Sequence, residues 1–556
     1  MANIDKITSS STAEYFSKNL QQVGFSSHTK AVLTVVKESV DNSLDACEEA
    51  GILPNINVII EKMGPGTLTG SDQIRVRVED NGPGINQEDI QKVFGEYLSS
   101  SKFGRGRCSR GQQGIGISAA TTWAQLTNAM GVRVITKRKE NNKAIKCLVE
   151  VDIKNNKGVI KDKESITWNK PHGTCVEFIF DGRIQANGEL GLINYLTGTA
   201  LVNPHMSMDY KIFGFEQKVL TRVSNDMPEI PEAVEPHPHT LKLGEFIAHS
   251  HMYGKTKVDH WLKKGFSRIN EGTLKDIAKH GGKGMMTKQV DSLNDVELKT
   301  LFKAIQDTKL MAPMTKSVMS IGEEAFSKSM KRLGTVNFFS IVSRTPCVCD
   351  FKPVLVEVAI ARVSDGGPED SSAQVLRFAN RVPLQFDKSS CAIVKSIESV
   401  NWKAYGLNQP KNSLPLGPYI IAVSVVSPFI KFKNASKETI DASDELVEEI
   451  RKALIQAGQR LSKHIKHEDK AAELEKKLRH IEQFCPILLN GLCHITNASK
   501  TRRNQAEKGL ANLLGRDAKS TKLELDQATK SLNKAKEKGT IQNKEKGLEK
   551  KTRYQN

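Results

Sequence analysis

Four short segments, in fixed order within the first third of the chain, constrain its fold more than any other feature of the sequence. The first is a helical repeat from Thr29 to Ala50. Leu33, Val36, Val40, Leu44 and Cys47 recur at three-and-four spacing and mark one buried stripe. Ser26 or Ser27 is placed to cap it and Gly51 to end it. On another face Glu38, Asn42 and Asp45 stand one and two turns apart. Such a face is commonly just solvated. The alternative is a water-activating carboxylate beside a neutral oxygen ligand for Mg²⁺, an ion that takes few protein oxygens when it also holds phosphates.

The second segment, Asp80-Asn81-Gly82-Pro83-Gly84-Ile85, follows the strand-like alternation Ile74–Val78. Two glycines and a proline at a strand exit let backbone approach a flat ligand. An ionised Asp80 accepts only, which suits the exocyclic amino group of adenine. The third, Arg110-Gly111-Gln112-Gln113-Gly114-Ile115-Gly116, runs into a helix start at Ile117–Trp123. Glycines there free amide N–H groups to converge on phosphates, and a helix N-terminus favours negative charge. The polar stretch Ser99–Ser109 before it has the composition of a lid. The fourth is the turn His172-Gly173-Thr174, ahead of a strand at Cys175–Phe180. Each segment alone is weak; the ordered set is a strong joint signal. A GxxxxGK[ST] loop and the kinase motifs are absent from the sequence.

Beyond these motifs, 556 residues suggest three or four domains. The first 25 residues form an arm, followed by mixed helices and strands to about residue 235, an α+β pattern. The Pro/His-rich stretch Val234–His239 marks a boundary. Residues 241–330 turn helical and Lys-rich, with helices at Lys257–Phe266 and Asp295–Ile305. After 335 strands return, including the apolar Tyr419–Val426, and Glu445–Ile481 is a long helix. Domains are therefore expected at 1–240, 241–330, 331–484 and 485–556.

The net charge is +18, and the final 60 residues hold 16 Lys and Arg against 7 Asp and Glu, half of that excess. A polyanionic partner such as DNA explains it, as does a solvated, partly disordered tail. Nine scattered cysteines, an odd number, suit thiols in a reducing compartment rather than a disulfide framework. The sequence lacks a signal-peptide layout and a bilayer-spanning apolar run, so a cytoplasmic protein is expected.

The four segments resemble the GHKL ATPase superfamily (gyrase, Hsp90, histidine kinase, MutL). Within it the chain is similar to the topoisomerase VI B-subunit family of type IIB topoisomerases. The stretches that carry this are Glu38 to Ala46, Ser100-Ser101-Lys102, Pro236-His237-Pro238, Ser320-Ile321-Gly322-Glu323 and Asn401-Trp402-Lys403-Ala404-Tyr405-Gly406, in order between about residues 10 and 480.

That resemblance implies a Bergerat-type ATP domain, a helix-two-turn-helix insert and an α/β transducer. It implies Glu38 as general base, Asn42 as the Mg²⁺ ligand and Asp80 as the adenine reader, with Gly84 at the adenine pocket. Ser101, Lys102 and the loop of Gly111, Gln112, Gln113, Gly114, Ile115, Gly116, Ile117 and Ser118 would contact phosphates, and Thr174 would support adenine. Lys403 would reach the γ-phosphate from the transducer. Position 118 is Ser where the family often carries Lys. The implied assembly is an A₂B₂ heterotetramer with a DNA-cutting A subunit, an ATP-dependent B–B dimer, and double-stranded DNA at the nucleoid. A DxD motif or other cleavage cluster is absent from the sequence. The rival readings are another GHKL member, MutL-like, and a non-hydrolysing nucleotide-dependent DNA clamp or scaffold.

Overall fold

The computed structural model describes residues 10–506, except 100–105, 107, 112, 113, 335, 364–367, 369, 387, 389, 412, 435 and 498, and in addition 508, 509, 512 and 527. The acidic-faced helix spans His28–Glu49, and the Ser27 hydroxyl caps it by accepting from the Lys30 N–H at 3.2 Å. Val32, Leu33, Val36, Val40 and Leu44 are buried along it. They pack on an eight-stranded sheet made of β1 (Asn55–Pro65), β2 (Asp72–Asp80), β3 (Val132–Lys137), β4 (Ala144–Asp152), β5 (Lys157–Ile166), β6 (Gly173–Gly182), β7 (Ser207–Ile212) and β8 (Lys218–Leu220). The order is β5-β4-β3-β6-β2-β1-β7-β8, antiparallel throughout except for β1 beside β7. Helices Gly116–Asn128 and Leu192–Val202 contribute to the same core.

Period-two alternation decides what reaches that core. In β2, Ile74, Val76 and Val78 point inward, and the same face ends on the buried Asp80. The ladder sets Asp80 opposite Thr174 on β6, and Thr174 opposite Thr136 on β3. Three polar side chains thus form one row at the edge of an apolar layer.

The helices Leu243–His251, Val258–Gly265, Glu271–Ile277 and Asp295–Gln306 enclose a core of their own around Phe246, Trp261, Leu262, Leu301 and Ile305. The strands β9 (Val336–Ser343), β10 (Cys347–Cys349), β11 (Lys352–Val363), β12 (Gln374–Ala379), β13 (Val382–Pro383) and β14 (Tyr419–Val426) make a second sheet, ordered β10-β11-β14-β12-β13 with β9 also on β11. β14 is buried along its whole length, which is why it reads as a continuous apolar run. Phe326 and Met330 pack with this sheet, together with Leu201 and Val202 from the first domain. Those four residues place the end of the 241–330 stretch, and one helix of the first domain, in the second domain's core.

The long C-terminal helix runs Asp444–Ile495, fourteen residues beyond the expected Ile481. Its first turns bury Leu446, Ile450, Leu454 and Leu461 against the second sheet. Its last turns leave Phe484, Ile487, Leu488, Leu492 and Ile495 exposed. Most of the basic tail lies outside the described residues. Among the described residues, no helix is long and apolar enough to cross a membrane, and seven cysteines are free thiols.

Candidate nucleotide site

A cavity of about 320 Å³ opens between the Glu38 helix, the ends of β2 and β6, the Gly111–Ile117 loop and two loops of the second sheet. That volume lies in the ordinary range for small-molecule sites. It is lined by Glu38, Asn42, Asp80, Gly84, Gly111, Gly114, Ile115, Gly116, Ile117 and Thr174. Ten residues singled out from sequence are thereby brought together from four separate segments.

At one end Asp80 is held by three donors. Its Oδ2 accepts from the Ser43 hydroxyl at 2.8 Å, and Oδ1 from the N–H groups of Gly82 at 2.9 Å and Thr174 at 3.1 Å. Burial raises its pKa despite those bonds, because loss of water penalises the carboxylate more than they repay. Thr174 Oγ1 meets Thr136 Oγ1 at 3.1 Å, and Thr136 accepts from the Ile85 N–H. Gly84 has φ +75°, and a Cβ there would lie 2.3 Å from the Lys137 carbonyl oxygen, so the strand exit admits glycine alone.

At the other end the Glu38 carboxylate lies against the first turn of the helix Gly116–Asn128. A Cβ on Gly116 would sit 1.9 Å from Glu38 Oε2. Glycine there is what lets the acid and the loop approach. Asn42 follows one turn after Glu38, and among the described residues its side chain makes no hydrogen bond. A neutral amide oxygen beside a carboxylate, facing a phosphate-sized cavity, fits a hydrated Mg²⁺ that also binds phosphate.

Two of the expected side chains lie away from the cavity. Ser118 does not line the cavity: its hydroxyl points to the buried side of the helix and donates to the Glu96 carbonyl at 2.9 Å. Lys403 does not reach it either, because the short turn Trp402–Tyr405 packs on the long C-terminal helix through Trp402 and Tyr405 and leaves Lys403 exposed. The second-domain lysine that lines the cavity is Lys437. Its Nζ donates to the Arg110 carbonyl at 2.7 Å, and burial lowers its pKa while Glu38 acts against that shift. Lys437 has φ +55°, a conformation costing an L-residue about 1–2 kcal/mol. The lysine-rich loop between β14 and the long helix was the available signal. Lysine content alone does not say which lysine turns inward. Ser101, Lys102, Gln112 and Gln113 lie outside the described residues.

The chain is similar to known proteins over most of its length. A family model described as "Histidine kinase-, DNA gyrase B-, and HSP90-like ATPase" matches residues 28–182, and one described as "Topoisomerase VI B subunit, transducer" matches 313–477. The B subunit of type 2 DNA topoisomerase 6 from Archaeoglobus fulgidus is 36% identical over 486 residues, covering 87% of this chain and 79% of that one. Its namesake from Methanococcoides burtonii is 37% identical over 485 residues, covering 87% and 76%. That from Pyrococcus furiosus is 30% identical over 533 residues, covering 87% and 91%.

Proposed function

The chain belongs to the topoisomerase VI B-subunit family, and on that premise we propose that it works as an ATP-hydrolysing gate whose cavity residues act as follows. The observation that carries the reading is the convergence of Glu38, Asn42, Asp80 and the glycine loop with Lys437, which arrives from a different domain. Adenine sits at the Asp80–Thr174 end, where the fixed carboxylate accepts from the amino group. The phosphates lie along Gly111–Ile117 at the helix N-terminus. Glu38 takes the proton of the water that attacks the γ-phosphorus, and ADP departs as the bridging P–O bond breaks. Asn42 would hold Mg²⁺, which spreads the charge that builds on the phosphate oxygens.

Lys437 supplies the link to movement. It rests on the Arg110 carbonyl, and a γ-phosphate oxygen is a stronger acceptor for an ammonium. Exchange of partners draws on the 431–438 loop and hence on the helix that starts at Asp444. ADP lacks that oxygen, so only ATP favours the shifted form, as a ligand-driven change requires. Two such subunits close around a DNA segment. Cleavage belongs to a partner A subunit, and the exposed Phe484, Ile487, Leu488, Leu492 and Ile495 offer it a docking stripe. The assembly is then A₂B₂, acting on cytoplasmic, nucleoid DNA, with the basic tail available to phosphates.

The test mixes the chain with its A subunit and supercoiled plasmid. Relaxation that requires both subunits, ATP and Mg²⁺ is expected. Relaxation by the A subunit alone, or equal activity without ATP, would contradict the reading.

A further inference from the structure

The Glu38 helix has a second acidic face that the nucleotide chemistry does not use. Asp41, Asp45 and Glu48 follow one another by one turn, and all three are buried. Burying ionised carboxylates is costly unless they are paired. Arg110, the residue before the glycine loop, gives NH1 to Asp45 at 2.7 Å and to Glu48 at 3.0 Å. Its NH2 goes to Glu48 at 2.7 Å and to Asn203 at 2.6 Å. Asp45 also accepts the N–H of Gly111 at 3.2 Å, and Asp41 accepts from the Tyr195 hydroxyl. Glu48 takes two further partners: His205 Nε2 at 2.9 Å, and Arg381 of the second sheet.

Arg381 occupies an unusual place. Asn380 and Arg381 are the two central residues of the turn between β12 and β13, with φ of +47° and +63°. Two-residue turns with both φ positive favour Asn-Gly. An arginine in the glycine position accepts backbone strain, and such strain persists where the surroundings require the side chain. That side chain crosses into the first domain and ends on Glu48. Arg381 does not itself line the cavity.

We infer that Arg381 is a positioning residue for the nucleotide site: through Glu48 and Arg110 it fixes the loop that carries Gly111 and Gly114. Arg110 is gripped twice from the second domain. Lys437 holds its carbonyl and is free to exchange that partner for phosphate. Arg381, working through Glu48, holds its guanidinium and has no ligand to move to. One contact is a latch and the other a pivot, so a rocking second domain keeps the phosphate loop in register. This inference rests on the nucleotide reading.

Charge balance makes it testable. Asp45 and Glu48 face Arg110 and Arg381; burial lowers the His205 pKa, Glu48 opposes that shift, and Arg381 and Arg110 add to it. Burial pushes the neighbouring Asp41 up to about 7, so Asp41 titrates in every variant and the His205→Gln control separates its contribution. The nearby guanidinium of Arg332 is turned to the Ala200, Met206 and Thr221 carbonyls. Arg381→Met leaves one negative charge uncompensated. Losing the Arg381 charge removes one of the causes that hold the His205 pKa down, so His205 gains a proton more readily as pH falls and offsets that charge.

The experiment measures ATP turnover and amide exchange, as protection factors, in segment 108–116. Arg381→Met is expected to raise KM for ATP about tenfold with kcat changed less, since loop misplacement weakens binding. Exchange at Gly111 rises with it. Both defects shrink as pH falls, vanish in Arg381→Lys, and persist as pH falls in Arg381→Met/His205→Gln. Wild-type KM and protection in Arg381→Met would overturn the inference, as would a defect indifferent to pH and to lysine. Exchange needs no turnover. An inactive wild type with the exchange effect intact would therefore refute the nucleotide reading while leaving the bridge standing.

Discussion

Lys437 and Lys403 separate two ways for a lysine to be placed. One is drawn between domains toward a buried carbonyl, and the other stays in water. Lys437→Met is expected to slow ATP turnover by about tenfold or more, the usual loss when one charge-stabilising donor is removed. Lys403→Met should leave it within a factor of two. Steady-state hydrolysis by both variants checks this, and the reverse order would return the sensor role to Lys403. Gly84→Ala tests the adenine end. A φ of +75° and the Lys137 carbonyl beside it leave no room for a methyl group. Binding of a fluorescent ATP analogue should be lost although the domain folds, because the turn lies at a strand exit rather than in the core.

Among the larger elements, the linker of His237 and His239 ties the first domain to the other two. His237 stacks on Phe351 with ring centroids 5.2 Å apart and bonds the Met311 carbonyl at 3.2 Å. Burial lowers its pKa to about 4. Between about 6.5 and about 4 the unfolded chain binds a proton there and the folded chain does not, so stability falls as pH falls through that window. Thermal midpoints of wild type and His237→Gln should converge as pH drops from 7 to 4.5, with the wild type losing more; parallel curves would exclude it. At the same scale, local period carries much of the fold. The buried stripe of the first helix, the alternation of β2 and the apolar run of β14 each follow from local period, and they set Asp80 and Glu38 where they stand. Long-range pairing does not show in local period. Nothing near Arg381 or Lys437 in sequence points to Glu48 or Arg110, which lie hundreds of positions away. The Ser118 hydroxyl turns away for a smaller reason: one helical step past Ile117 carries a side chain from the cavity to the Glu96 carbonyl, and only the Ser118 backbone stays with the loop.

For the whole molecule, coupling nucleotide to partner requires a rigid path between them. The long helix starts beside the Lys437 loop and ends in an exposed apolar stripe. Ile487→Ser with Leu488→Ser should leave ATP turnover unchanged and abolish co-purification with the A subunit. Retained co-purification would place the docking surface elsewhere. Deleting 497–556 should flatten the salt dependence of DNA binding if the tail touches phosphates, and an unchanged slope would show that it does not. On the proposed mechanism, ATP in this cavity closes two subunits and is then hydrolysed with Glu38 as base. The direct measurement compares wild type and Glu38→Ala for ATP hydrolysis, and for self-association with and without a non-hydrolysable analogue. Turnover is expected in the wild type alone, and analogue-dependent dimers of both proteins. A wild type that binds no nucleotide and stays monomeric, or a Glu38→Ala variant with full turnover, would contradict it.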